Sequence, residues 1–94
     1  MKIIIRISAE RDIQEVFEYY ESARAGLGDD FLNDLALTFN YLSQFPKAFK
    51  PAYKKFRIVS LSRFPYLVYF RVVRQQIIIQ KIGHAHRSKR KLKV

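Results

Sequence analysis

The stretch FRIVSLSRFPYLVYFRVVRQQIIIQKI, residues 56–82, decides the fold of this 94-residue chain. Phe56 to Leu61 alternates apolar and polar side chains, and two further runs, Tyr66 to Val73 and Ile77 to Ile82, are rich in β-branched or aromatic residues. These patterns predict three strands. Ser62 to Pro65 predicts a turn, because proline cannot donate to a sheet ladder. The second half of the chain is therefore predicted to form a small antiparallel sheet.

One strand and two helices are predicted before this sheet. Lys2 to Ile7 is β-branched and predicts a strand, and Ser8 is a candidate N-cap for the helix that follows. Gly26 and Gly28 separate this helix from a second one, which Pro46 ends. Helices joined by a short turn form an antiparallel hairpin. The predicted fold class is α+β, in the order β-α-α-β-β-β, with a helical hairpin packed on a small, mostly antiparallel sheet.

Apolar side chains recur at intervals of three and four residues in both helices, which predicts one inward stripe on each. In the first helix the stripe is Ile13, Val16, Phe17 and Tyr20. In the second, opened by Asp29 and Asp30, it is Phe31, Leu35, Thr38, Phe39 and Leu42. In the first helix, Glu15, Glu18 and Glu21 are predicted to lie mostly off the stripe, on the solvated side.

Length and composition restrict the class of protein. We predict a single domain over residues 1–94, in which residues 84–94 form a basic tail. A hydrophobic content of 49% suffices for a packed core. The chain has no cysteine, which excludes disulfides and thiolate metal sites. Its apolar runs are too short to span a bilayer and it shows no signal-peptide pattern, so we expect a soluble, cytoplasmic protein without a membrane partner.

The charges of the chain are divided along its length. All eight acidic residues lie between Glu10 and Asp34, whereas fourteen of the eighteen lysines and arginines lie after Leu35. Sixty residues without a carboxylate cannot neutralise their own cations locally. The sheet half of the protein is therefore predicted to bind an anionic partner, either nucleic acid or an acidic protein segment.

The candidate binding residues are cations on the predicted strands and at their ends. Arg57 and Arg71 are predicted to converge with His84 and Arg87 on one concave sheet surface. A phosphate-binding patch is one interpretation of this surface, and a solvated sheet face is the other. Because the basic half has no acidic residue, we favour binding. The predicted partner-binding set is Lys54, Lys55, Arg57, Arg63, Tyr66, Arg71, His86 and Arg90.

Two histidines are the candidates for proton transfer. His84 and His86 are the only side chains here whose unperturbed pKa lies near neutrality. RNA cleavage by the 2′-hydroxyl needs a base and an acid, which a histidine and an arginine would supply in part. The alternative, which we favour, is that both histidines are ordinary polar residues. Neither a metal site nor a cofactor is predicted.

Several short motifs, in order, resemble a known family. They are Ala9-x-x-Asp12-Ile13, Tyr19-Tyr20-Glu21, Gly26-Leu27-Gly28, Phe31-Leu32-x-Asp34-Leu35, Arg57-Ile58-x-x-Leu61, Phe64-Pro65-Tyr66-x-Val68-Tyr69-Phe70 and His84-x-x-Arg87. Together they span nearly the whole chain and resemble the RelE/ParE superfamily of prokaryotic toxins. The family's fold, two helices against a small antiparallel sheet, agrees with the fold predicted above.

The resemblance implies a growth-inhibiting toxin of a type II toxin–antitoxin module that a cognate antitoxin neutralises. ParE-like members poison DNA gyrase, whereas RelE-like members cut messenger RNA on the ribosome. The helical motifs resemble those of ParE-like members, so inhibition of gyrase is our first prediction. In that case we do not expect the protein to be an enzyme. An mRNA endonuclease that uses Arg57, His84 and Arg87 on the ribosome is the second. A non-toxic, basic nucleic-acid-binding module is the third.

Overall fold

The computed structural model describes residues 1–86 and places two helices and five strands along them. In chain order the elements are β1 (Lys2–Ile5), α1 (Ile7–Ala23), α2 (Leu27–Gln44), β2 (Pro51–Tyr53), β3 (Phe56–Ser60), β4 (Tyr66–Val73) and β5 (Gln76–His84). The α+β class and the predicted order are confirmed, with β2 as an addition. We did not predict this strand because it is short and begins at a proline, a residue that argues against a strand in the middle of a sheet. Strand β2 lies at the sheet edge, where a proline is tolerated.

The strands form one sheet in the order β1-β5-β4-β3-β2. Strand β1 runs parallel to β5, and every other neighbouring pair is antiparallel. The prediction of a mostly antiparallel sheet is therefore confirmed. In residues 1–86, neither helix is long and apolar enough to cross a bilayer.

The helices cover one face of the sheet, which we call the inner face. Alternating strand positions supply its buried side chains, namely Val59, Tyr66, Val68, Phe70, Ile77, Ile79 and Ile82. They share one core with buried helical residues, namely Ala9, Phe31, Leu35 and Leu42. The inward stripe predicted for α2 is thus confirmed, except that Phe39 is only half-buried at the margin of the core. The intervening strand positions form the opposite, outer face.

The start of α1 differs from the prediction. The strand ends at Ile5 and the helix begins at Ile7, so Arg6 and not Ser8 is the N-cap residue. The Ser8 hydroxyl instead donates to the carbonyl of Gln80 at 2.8 Å. The predicted capping role of Ser8 is therefore wrong, because the hydroxyl ties the first turn of the helix to β5.

The predicted glycine break between the helices is confirmed. Gly26 has a φ of +89°, a left-handed conformation that glycine adopts without steric cost. The Glu21 carboxylate accepts hydrogen bonds from the backbone N–H groups of Gly26 and Gly28, both at 3.0 Å. Helix α2 then begins at Leu27, slightly earlier than the predicted start at Asp29.

One acidic side chain of α2, that of Asp34, is buried. The Asp34 side chain in α2 accepts hydrogen bonds from the Ser62 hydroxyl at 2.7 Å and from the N–H groups of Arg63 and Phe64 at 2.9 and 3.0 Å. Only 1% of this residue is exposed. The carboxylate therefore fixes the turn between β3 and β4 to the helix.

The connection between β4 and β5 is a two-residue turn. Val73 pairs with Gln76, and the two residues between them, Arg74 and Gln75, have φ values of +48° and +65°. Two positive φ angles in a two-residue hairpin are typical of a type I′ turn, for which Asn-Gly is the usual sequence. The turn was hard to predict because an Arg-Gln pair rarely adopts this conformation. It places Arg74 at the same end of the sheet as the β2–β3 turn.

Candidate functional site

The strand register divides the predicted site residues between two ends of the sheet. Arg57 pairs with Phe70 across β3 and β4, whereas His84 pairs with Tyr66 across β5 and β4. Four residues of β4 separate these pairs, which corresponds to about 13 Å at the rise of an extended strand. The turn at residues 54–55 comes just before β3 begins at Phe56, so it lies at the same end of the sheet as Arg57.

Arg57 lies on the inner face of the sheet and not beside Arg71. Its partner in the register, Phe70, is fully buried under the helices, and Arg71 is the next residue on β4, so it faces the other way. The Arg57 guanidinium donates to the carbonyl of Phe49 in the loop after α2. The prediction that Arg57 and Arg71 converge on one surface is therefore wrong. The sequence alternation was correct, but it did not show which face the helices would cover.

The outer face carries a group of cationic and aromatic side chains at the Arg57 end of the sheet. We call this group the cationic end; it consists of Tyr53, Lys54, Lys55, Phe56, Tyr69, Arg71 and Arg74. The Lys54 ammonium lies 5.4 Å from the centre of the Tyr53 ring, a cation–π contact. The rings of Tyr53 and Tyr69 meet edge to face, with their centres 6.5 Å apart. Three members of the predicted partner-binding set, Lys54, Lys55 and Arg71, thus lie together.

Two polar atoms of the cationic end are buried without a hydrogen-bond partner. They are the Tyr69 hydroxyl and the Arg71 Nε, and within residues 1–86 no other buried side-chain nitrogen or oxygen is left unpaired. Burial raises the pKa of the Tyr69 phenol, and the neighbouring Tyr53 raises it further. Tyr69 therefore stays neutral at physiological pH. The described protein gives Arg71 no acceptor for its Nε–H group.

The opposite end of the sheet holds the histidines. His84 Nδ1 accepts a hydrogen bond from the backbone N–H of His86 at 3.2 Å, and the two rings lie 5.5 Å apart. The His84 ring meets Tyr66 edge to face at 5.3 Å. A cavity of about 250 Å³ lies between His84, Tyr66, Tyr19 and Tyr20. His84 thus lines a small polar niche beside α1.

Tyr66 belongs to the predicted partner-binding set. Its ring lies 5.8 Å from Phe31 and 6.2 Å from Tyr20, and only 8% of the residue is exposed. Tyr66 therefore lies in the core and presents little surface to a partner. Arg63, in the same turn, is exposed at the surface. Two other predicted site residues, Arg87 and Arg90, lie outside the described residues.

Two of the three residues predicted for RNA cleavage, Arg57 and His84, lie at different ends of the sheet, and the third, Arg87, lies outside the described residues. Such a reaction needs a base, an acid and a cation around one phosphate. The Arg57 guanidinium is held by the Phe49 carbonyl, about 13 Å along the sheet from the position of His84. Within residues 1–86, no three His, Cys, Asp or Glu side chains come together to form a metal site.

Sequence reasoning missed an apolar groove between α2 and β3. It has a volume of about 380 Å³ and is lined by Leu37, Thr38, Tyr41, Phe49, Val59, Ser60 and Ser62. Leu37 is 66% exposed and Tyr41 is 46% exposed, which is unusual for large apolar residues four positions apart. The spacing of Leu37, Tyr41 and Phe45 is a second apolar stripe on α2, and this signal would have predicted the groove.

The groove also borders an open strand edge. Strand β2 pairs only with the beginning of β3, at Phe56 and Arg57. In the described part of the chain, no strand covers the outer edge of β3 from Ile58 to Ser60. Free backbone donors and acceptors beside an apolar groove are features of a surface that binds an extended or helical segment of another protein.

Comparisons with known proteins agree with these observations. Residues 3–89 match the family described as ParE toxin of type II toxin-antitoxin system, parDE. A solved structure described as the chromosomal ParDE TA system from P. aeruginosa has a similar fold, with a TM-score of 0.79 and 22% sequence identity. The match covers 89% of this chain and 95% of that one. Comparison with curated proteins gives no match.

Proposed function

Because the chain belongs to the ParE toxin family of type II toxin–antitoxin systems, we propose that its target is DNA gyrase and that it acts by binding. The protein is the toxin of a pair, and a cognate antitoxin is its partner. Gyrase inhibition is the activity of this family. Because gyrase acts on the bacterial chromosome in the cytoplasm, we also propose that this toxin is cytoplasmic.

The observation that supports inhibition by binding is the separation of Arg57 from His84, two of the three predicted catalytic residues. Arg57 is engaged by a backbone carbonyl on the inner face, and His84 lies at the other end of the sheet. A binding inhibitor has no need for these two residues to meet. Its recognition surface instead needs exposed apolar and charged groups, which the groove and the cationic end provide.

A paired assay of DNA and RNA damage tests this proposal. We expect the purified toxin to reduce supercoiling by gyrase and to increase gyrase-dependent plasmid breaks, and the antitoxin to prevent both effects. In a translation extract we expect no ribosome-dependent cleavage of mRNA. The His84→Gln variant should behave like the wild type in the gyrase assay, within about threefold, because the imidazole performs no chemistry there.

The contrary result would identify an endonuclease. In that case the wild type would cut mRNA on the ribosome, and His84→Gln would slow single-turnover cleavage by roughly 10²-fold or more, since general acid–base catalysis contributes at least this much. Ribosome binding by the variant, measured by co-sedimentation, would separate lost chemistry from lost binding. Cleavage of this kind without any effect on gyrase would overturn the proposal.

We further propose that the antitoxin carries an acidic toxin-binding segment with apolar anchors for the groove. The part of the chain that follows Leu35 is basic and has no carboxylate, which favours an acidic partner. Lys47 and Lys50 are exposed on either side of Phe49, which lines the groove. A partner whose toxin-binding segment is neutral or basic would contradict this part of the proposal.

Two matched leucine variants test the groove. Leu37→Gln should weaken antitoxin binding by about tenfold or more, because it removes an exposed apolar contact at the centre of the proposed interface. Leu32→Gln makes the same change at another exposed position of α2, outside the groove, and should leave the affinity nearly unchanged. Isothermal titration calorimetry would measure both. Equal losses in the two variants would show that the antitoxin does not use the groove.

A further inference from the structure

The cationic end lies on the face of the sheet that the helices leave open. Of its strand residues, Tyr69 is fully buried and Tyr53, Phe56 and Arg71 are half-buried, whereas Lys54 and Lys55 are exposed in the turn between β2 and β3. The register brings this turn beside Arg71, because Arg57 pairs with Phe70 and Phe56 is the residue before it. Two turns and the end of β4 therefore form one continuous surface.

The charges of this surface lack internal compensation. Within residues 1–86 the Arg71 guanidinium makes no ion pair and no hydrogen bond, and its Nε is buried. By contrast Lys81, farther along β5, pairs with Asp12 at 3.4 Å. A guanidinium that has lost part of its hydration without gaining an acceptor is stabilised by an anion from outside. The terminal nitrogens of Arg71 are the groups that such an anion would meet.

The aromatic rings indicate which anion fits. Tyr53 and Phe56 are half-buried among the cations, and the Lys54 ammonium lies against the Tyr53 ring, whereas Tyr69 is fully buried. An acidic peptide needs cations but no aromatic platform. A single strand of nucleic acid needs both, because its phosphates bind cations and its unpaired bases stack on rings. A duplex hides its bases and would gain only the charge contacts.

We propose that the cationic end binds a single strand of nucleic acid. Arg71 and Lys54 contact phosphates, and Tyr53 and Phe56 stack on bases. This inference goes beyond inhibition of gyrase and does not depend on it: a toxin that binds gyrase without touching nucleic acid would fail this test and pass the gyrase assay.

Fluorescence anisotropy with labelled oligothymidylate and oligouridylate of about 15 nucleotides tests the proposal on the full chain. Arg71→Gln should weaken binding by roughly tenfold and should reduce the slope of log affinity against log salt by about 0.7, the value for one lost phosphate contact on a single strand. Arg11→Gln removes an equal charge from an exposed position on α1 and is the matched control. It should change neither quantity appreciably.

A second pair of variants separates stacking from charge. Tyr53→Leu should weaken binding by roughly five- to tenfold without changing the salt slope, since a stacked base contributes affinity but releases no counterion. Tyr19→Leu, at an exposed position on α1, is its control. Thermal midpoints confirm that each variant is folded, and Arg71→Lys, which keeps the charge, should restore the slope.

Three outcomes would overturn the proposal. Equal losses for Arg71→Gln and Arg11→Gln would show that only net charge matters. An unchanged affinity in Tyr53→Leu, together with equal binding of a duplex of the same length, would remove the stacking platform. Tighter binding of oligoglutamate than of either oligonucleotide, lost in Arg71→Gln, would assign the surface to an acidic polypeptide. A preference for one oligonucleotide over the other, with both variant effects present, supports the proposal.

Discussion

Replacing Asp34 by alanine is expected to lower the free energy of unfolding by about 2–4 kcal/mol, because three donors lose a charged acceptor. Asp34→Asn should cost less, since the amide keeps one oxygen for the backbone N–H groups. Asp29→Ala, at an exposed position in the first turn of the same helix, is the control and should cost below about 1 kcal/mol. Urea denaturation followed by circular dichroism would measure all three.

The same carboxylate predicts a pH dependence of stability. Burial alone raises the pKa of Asp34, but hydrogen bonds from the Ser62 hydroxyl and from the backbone N–H groups of Arg63, Phe64 and Ser62 outweigh it, so that the net pKa is lowered. The contribution of Asp34 to stability is therefore complete above its unfolded pKa of about 3.9 and is lost as the pH falls through the lower folded value. Asp34→Asn should remove this part of the acid sensitivity. An Asp34→Ala loss as small as that of Asp29→Ala would show that the turn does not depend on the carboxylate.

The order of elements could be predicted from the sequence because each depends on local patterns. Tyr66 to Val73 was predicted with its observed boundaries, and the helical hairpin followed from its apolar stripes and from Gly26. The role of Asp34 could not be predicted in this way. An acidic residue in a helix usually faces water, and only the fold brings the turn after β3 to this carboxylate.

The arrangement of the site was less predictable than the fold. Because side chains alternate between the two faces of a strand, the sequence correctly places Arg57 on the opposite face from its neighbours Phe56 and Ile58. The alternation does not show which of the two faces the helices cover. This choice depends on how α1 and α2 cross the sheet, which is a property of long-range packing. Arg57 consequently became a residue of the inner face, and Arg71 a residue of the open one.

Phe31→Ala is the second change with a large expected effect, a loss of about 3–5 kcal/mol in the free energy of unfolding. The Phe31 ring is fully buried and lies within about 6 Å of three other rings, those of Tyr20, Phe64 and Tyr66. Its removal leaves a cavity where both helices meet the turn held by Asp34.

Phe39→Ala provides the matched comparison on the same helix. The sequence stripe places Phe39 on the inward side of α2, and a buried ring there would give an expected loss of about 3–5 kcal/mol. The ring is in fact half-buried at the margin of the core, so we now expect a loss of about 1–2 kcal/mol. Chemical denaturation of both variants would decide between the two assignments. A Phe39→Ala loss equal to that of Phe31→Ala would place Phe39 in the core and would contradict the packing described for α2. The expected order, with Phe31→Ala the more costly, would agree with a Phe31 ring inside the core and a Phe39 ring at its margin.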